Sequence, residues 1–238
     1  TKVKVLTEYE LTAESYAFAV AKGNTELKNA ANELLAELKK NGKFDEILSS
    51  YFDGTATFTY ENTVSAIPKG NDRDKYLVVA TNAFSPPFEY YEGNKLSGID
   101  IELASLLAEK LDKTLYVADM EFDSVITSVT SGESDIGMAG MTVNAERLEK
   151  VDFTDEYYES AQVLITLESD ETFKDVKSAD DIVAILKEQS KSFIVGTQNG
   201  TTGYMYSNGD ESFGYDGFTN LTTNGYTAGA LAVQDLVN

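Results

Sequence analysis

The chain has 238 residues with no Cys, His or Trp, and its 40 acidic against 19 basic residues give a formal charge of −21. Without His or Cys there is no Ser-His-Asp triad, no cysteine nucleophile, no disulfide and no His- or Cys-based metal site. The charge argues against nucleic acid or an anionic membrane face as partner and favours solubility; it reads first as a generically acidic surface and second as a hint of cationic small molecules. The length allows one large domain or two small ones, and a 42% hydrophobic content fits a globular chain. The apolar runs at 76–80 and 192–195 are strand-sized, far short of a membrane span. The opening Thr1-Lys2-Val3-Lys4-Val5 has no apolar h-region and does not read as a signal peptide.

Residues 24–41 form the clearest helix, with Leu27, Ala31, Leu34, Leu35 and Leu38 at helical spacing and Asn41-Gly42 as a stop. A short amphipathic run follows at 44–52. Residues 53–73, rich in Thr, Asn and Gly, have no helical period and read as a linker or surface strap. From Tyr76 the periods alternate. A buried-strand run at 76–80 is followed by a helix at 100–111, a strand at 114–117, a helix from Phe122 to a stop at Gly132, and a strand at 135–138. This β-α-β-α-β order predicts an α/β fold with a parallel, doubly wound sheet. A longer strand at 162–167 leads to a helix opened by Ser178, a strand at 192–195 and a helix at 227–237, so a second α/β unit begins near Leu164. Two such units predict a two-lobed molecule whose ligand sits in the cleft, at the carboxyl ends of strands.

Four places carry candidate chemistry. After the first buried strand, Asn82, Phe84, Ser85, Pro86 and Pro87 make a stiff loop whose aromatics either stack on a ligand or fill the core. After the strand at 135–138, Gly140 and Thr142 offer an N–H and a hydroxyl, and a helix starts near Asn144. Arg147, one of two arginines beside seventeen lysines, stands just beyond. A guanidinium forks onto a carboxylate as lysine cannot, so Arg147 points to anion recognition, or else to a surface pair with Glu146 or Glu149. The loop from Gly196 to Gly203 resembles a phosphate cradle in composition but lacks the Lys-Ser/Thr of a P-loop; it suits a carboxylate equally well, or is a Gly-rich turn. Glu121 and Asp123 invite an acid-base reading, but among forty acidic residues such pairs arise by chance.

Taken together, YLVVATNAFSPPFEYYEGNKLSGIDIELASLLAEKL, MEFDSVITSVTSGESDIGMAGMTVNAERLEKVDFTDEYYESAQVLI and VGTQNGTTG resemble the polar amino-acid branch of the extracytoplasmic solute-binding proteins that feed ABC importers, solute-binding protein family 3. The match runs from about Lys75 to Asn238. Residues 1–52 resemble the end of the same family, displaced to the front, so the chain reads as circularly permuted, excerpted from a tandem of two such domains, or engineered. In the family, a strand, a turn and a short helix of about 20 residues, with an Asp for the ligand's α-ammonium group, stand between the two pieces. No counterpart is present, so the resemblance implies a second lobe short of one strand and one short helix.

The resemblance implies a two-lobed, type II periplasmic-binding-protein fold, each lobe a doubly wound, mostly parallel sheet. Lobe I would be 11–162, with the linker 53–73 bridging the usual termini, and lobe II would be 163–238 plus 1–10. Hinge strands are expected near 7–14 and 160–166. In this reading Arg147 grips an α-carboxylate with Thr142 and the backbone of Gly140. Gly200 and Thr201 add an N–H and a hydroxyl. Phe122 is an aromatic wall, and Phe84 stands one place before the usual aromatic, which is Ser85 here. Asn82 stands where members for cationic ligands often carry Asp, which leans towards a neutral polar amino acid. The implied partners are that free amino acid and a membrane permease, with no nucleic acid, cofactor or metal, and the implied molecule is an extracytoplasmic monomer and not an enzyme. The rivals are a dehydratase-like cleft enzyme using Glu121, Asp123 or Glu89, and a permuted sensor or scaffold module with impaired binding.

Overall fold

A computed structural model describes residues 3–238; Thr1 and Lys2, which open the expected 1–10 segment of lobe II, lie outside the described residues. In chain order the elements are β1 (Val3–Val5), β2 (Glu14–Tyr16), β3 (Ala19–Ala21), α1 (Thr25–Lys40), α2 (Lys43–Phe52), β4 (Tyr76–Thr81), β5 (Phe84–Ser85), β6 (Glu89–Glu92), β7 (Lys95–Ser97), α3 (Ile99–Lys110) and β8 (Thr114–Asp119). They continue with α4 (Val125–Thr130), β9 (Ile136–Gly137), α5 (Ala145–Lys150), β10 (Val151–Phe153), β11 (Tyr158–Ser160), β12 (Ile165–Leu167), α6 (Ala179–Glu188), β13 (Ile194–Gln198), α7 (Thr202–Asn208), β14 (Thr222–Tyr226) and α8 (Gly229–Val237). The chain divides into two compact units, one of Thr1–Glu14 with Glu159–Asn238, the other Ser15–Tyr158. The crossings fall within β2 and β11. Among the described residues no helix is long and apolar enough to cross a membrane.

The unit 15–158 is built on a five-stranded sheet of order β10-β3-β9-β4-β8. Its centre is parallel, β4 pairing with β8 and β9, while β3 pairs antiparallel with β9 and β10. β4 is buried from Leu77 to Thr81, which explains its unbroken apolar run: a central parallel strand is covered on both faces. α1 buries the five residues read from its helical spacing, and the Asn24 side chain accepts from the Leu27 N–H to satisfy its first turn. α1 packs on α2 and α3, and these helices share one cluster with Leu77, Val79 and Phe18. Each such buried aliphatic side chain contributes about 1.5–3 kcal/mol of transfer free energy.

Several local expectations are revised. β9 spans only two residues, and the strand expected at 162–167 shortens to Ile165–Leu167. A three-stranded antiparallel sheet, β5-β6-β7, occupies residues 84–97, where no strands were expected. Residues 53–73 are a strap held along this unit. Tyr60 exchanges backbone hydrogen bonds with Leu96 at 2.7 and 2.8 Å, and the Asn62 side chain brackets Val117 with two bonds of 2.8 Å. Arg73, at the end of the strap, forks onto both oxygens of Asp135 at 2.9 and 2.8 Å.

The other unit packs Ile182 and Leu186 of α6 against Phe173, Phe218 and Leu221. Ser178 caps α6, its side chain accepting from the Asp181 N–H. β1 pairs antiparallel with β12, and β13 pairs parallel with β14; among the described residues these remain two separate two-stranded sheets. The apolar side chains of Val5, Ile165, Ile194, Leu231 and Leu236 stay exposed in this unit.

Candidate functional site

In the unit 15–158, the segment from Gly140 to Arg147 leaves the carboxyl end of β9 and enters α5. Gly140 adopts φ +52°, and a Cβ there would stand 3.3 Å from the Tyr16 ring, so the turn suits glycine twice over. The Gly140 N–H donates to Asp100 Oδ2 at 2.9 Å. Beyond the turn the backbone is tied to β2 and its continuation: Ala17 N–H donates to the Met141 carbonyl at 3.1 Å, and Val143 N–H to the Ser15 carbonyl at 3.1 Å. This fixes Thr142, which is 6% exposed.

Asn144 then caps α5. Its side chain accepts from the Arg147 N–H at 2.7 Å, setting where the Arg147 side chain leaves the helix. Arg147 is only 6% exposed. Its Nη1 donates to the Thr142 carbonyl at 2.6 Å, and its guanidinium lies 5.4 Å from the centre of the Phe122 ring. Lys150 engages Glu146 one turn on, and Arg147 is a buried guanidinium held over an aromatic ring. A fork preorganised in this way loses little freedom when it binds a carboxylate.

The loop after β4 lies on the same unit. Asn82 is 2% exposed, and its Nδ2 donates to the Met120 carbonyl at 2.8 Å, tying this loop to the one that presents Phe122. Asp119 reinforces the tie by accepting from the Ala83 N–H at 2.9 Å. Phe84 is 55% exposed, available to a ligand rather than spent in the core, and Ser85 is half-buried. Glu121 and Asp123 are exposed.

Thr201 and Gly200 belong to the other unit. Thr201 caps α7, its hydroxyl accepting from Tyr204 N–H at 3.5 Å and donating to the Gln198 carbonyl at 2.8 Å; Gly200 precedes it at φ +72°. The structure therefore gathers Gly140, Thr142, Arg147 and Phe122, links Asn82 to them through the 119–122 loop, and carries Gly200 and Thr201 on a separate unit. Sequence reasoning missed Asp100, Tyr16 and Asp119, which hold these loops. The only available signal was a polar residue beside a glycine or at a strand end.

This α/β architecture, with its parallel-centred sheet, is that of a type II periplasmic-binding-protein fold, and solved structures of that fold resemble this chain. One is an ancestral amino acid-binding protein, AncCDT-1, described as a precursor of cyclohexadienyl dehydratase, with TM-score 0.58 and 28% identity over 69% of this chain and 66% of that one. Another is an ancestral arginine-binding protein bound to arginine, with TM-score 0.55 and 31% identity over 68% of this chain and 65% of that one. Residues 77–219 match the bacterial extracellular solute-binding proteins, family 3, and the chain belongs to that family. Among curated relatives, the arginine-binding extracellular protein ArtP of Bacillus subtilis (strain 168) is 39% identical over 105 residues, 43% of this chain and 41% of the relative. The chain spans about half the length of the curated relatives it matches.

Proposed function

We propose that this protein binds a free α-amino acid outside the cytoplasm, as a monomer, and delivers it to the membrane permease of an ABC importer. The observation that carries the reading is Arg147: a guanidinium 6% exposed, stacked near Phe122 and aimed by the Asn144 cap, in a chain with one other arginine. Its fork takes the ligand's α-carboxylate, with the Thr142 hydroxyl and the Gly140 turn beside it. Phe122, Phe84 and Ser85 face the side chain. Gly200 and Thr201 remain further candidate contacts, the Thr201 hydroxyl becoming a donor to a ligand only by leaving the Gln198 carbonyl, and a ligand drives any such change through its higher affinity for the state that results. Binding and release proceed without chemistry on the ligand.

The ligand's side chain is polar and neutral in this reading, because position 82 is Asn. A cationic side chain is the second reading, favoured by relatives named for arginine and by the net charge of −21. Titration calorimetry with glutamine, arginine and their α-carboxamides tests both. Loss of affinity in the carboxamides is expected; equal affinity for acid and amide removes the carboxylate from the account. A preference for arginine over glutamine overturns the neutral reading.

We also propose that residues 1–52 are the family's closing segment moved ahead of the rest. β3 lying between β9 and β10, and β1 pairing with β12, support this. A chain rewritten with 1–52 after 238 is expected to keep the circular dichroism and cooperative melt of the original; an unfolded product opposes the assignment.

A further inference from the structure

Beneath the Gly140 turn lie two buried carboxyl groups that neither the packing of the core nor the contacts of Arg147 explain. Asp100, in the first turn of α3, has no solvent exposure. It accepts from the Gly140 N–H at 2.9 Å and from the Tyr157 hydroxyl at 2.6 Å. Glu89, the first residue of β6, is 1% exposed, and its Oε1 lies 3.8 Å from where a Cβ on Gly140 would stand. Its Oε2 is buried and receives no hydrogen bond. Neither carboxyl forms a salt bridge among the described residues.

Two adjacent carboxylates in such a place are costly, since each is stripped of water and each repels the other. A proton on Glu89 relieves both problems. It turns an orphaned acceptor into a donor beside Asp100, since the Asp100 Oδ2 and the Glu89 Oε1 both approach Gly140. Burial, and then the Asp100 charge, hold Glu89 well above the ordinary carboxylate range. Burial raises Asp100 to about 6, against the pull of the Tyr157 hydroxyl and the Gly140 N–H. The groups around the pair are mostly neutral. Ser85 stands opposite Glu89 in the pairing of β5 with β6, and Tyr157 and Tyr16 line the side facing β2. Glu102, further along α3, is occupied by the Tyr51 hydroxyl at 3.0 Å. Lys110, at the far end of α3, pairs with Glu33 and Glu37 of α1.

We propose that Glu89 and Asp100 share one proton and act as a positioning pair for the binding segment: protonated Glu89 steadies the Asp100 carboxylate, which holds the Gly140 N–H and so sets Thr142 and Arg147. The positioning half rests on the proposed carboxylate grip of Arg147; the shared proton does not. Because Glu89 is raised in the folded state, unfolding releases its proton once the pH exceeds the unfolded value near about 4.5. Stability from this group is full below that pH and is lost as the pH rises towards the folded value.

The test compares the wild type with Glu89→Gln, which keeps a donor in the same shape. Between about pH 5 and 7 the wild-type folding equilibrium constant, relative to that of the variant, is expected to fall by up to tenfold per pH unit. Parallel pH curves overturn the shared proton. For positioning, amino-acid affinity in Asp100→Asn is expected to drop at least about tenfold at pH 7, and further than in Glu89→Gln, which keeps a donor towards Asp100. Unchanged affinity in Asp100→Asn overturns the positioning role. Should Asp100→Asn not fold, the Gly140 amide resonance decides instead: its pH titration is expected to shift in Glu89→Gln, and an unshifted titration overturns the coupling. If the wild type binds no amino acid, the proposed function and the positioning half fall together, and the proton pair is judged on the stability curves alone.

Discussion

Replacing Arg147 by Ala is the sharpest perturbation of the proposed grip. A charge-assisted hydrogen bond contributes about 1.5–3 kcal/mol, and a guanidinium fork makes two of them to a carboxylate. Their loss weakens amino-acid binding by about 3–6 kcal/mol, a factor on the order of 10²–10⁴ in Kd. The same change removes the donor to the Thr142 carbonyl, which sits on a residue 6% exposed. That costs about 1–3 kcal/mol of stability, or about 2–12 °C in Tm, and leaves the fold intact. Arg147→Lys keeps the charge without the fork, so an intermediate loss is expected. Calorimetry at 25 °C, with circular dichroism and a thermal melt on each variant, separates binding from folding. An Arg147→Ala protein that folds and binds within about tenfold of wild type refutes the reasoning.

Other substitutions probe the scaffold. Gly98→Ala places a Cβ 2.1 Å from the Phe88 carbonyl oxygen at φ +127°, and Gly98 opens the helix carrying Asp100. A loss of about 4 kcal/mol or more is expected in urea denaturation, and a loss under 1 kcal/mol argues against this backbone path. Ile182→Ala empties a position with no solvent exposure in the core of the unit that carries α6. It should cost about 2–5 kcal/mol, read as an earlier transition for that unit, and an unchanged denaturation curve contradicts the packing. Arg73→Lys breaks the fork onto Asp135 and is expected to lower stability by about 1 kcal/mol or more without touching affinity. A changed Kd in that variant opposes the separation of the strap from the site.

What the sequence revealed follows from which forces are local. α1 was legible because five apolar residues repeat at helical spacing between an Asn cap and an Asn-Gly stop. β4 was legible because a doubly covered strand is apolar throughout. Arg147 stood out through scarcity, and its burial turns that hint into geometry. The β5-β6-β7 sheet was hidden because its strands hold two to four residues with mixed polarity, too short to show a period. The antiparallel insertion of β3 between β9 and β10 joins residues more than a hundred positions apart, which no local pattern encodes. Asp100 was lost among forty acidic residues, and Glu89 surfaced only as one of three rival catalytic carboxylates, since burial, not residue type, sets the pair apart. The strap was read from composition, but its anchors, Asn62 on Val117 and Arg73 on Asp135, depend on where the sheet edge lies.

The central claim, that this chain is a receptor for a free amino acid, is tested most directly by a thermal-shift screen of the twenty amino acids. A ligand present at a hundred times its Kd stabilises the native state by about 2.7 kcal/mol, which raises the melting point of a chain this size by about 5–10 °C. The account predicts such a rise for at least one polar amino acid and none in Arg147→Ala. A flat response to all twenty contradicts it.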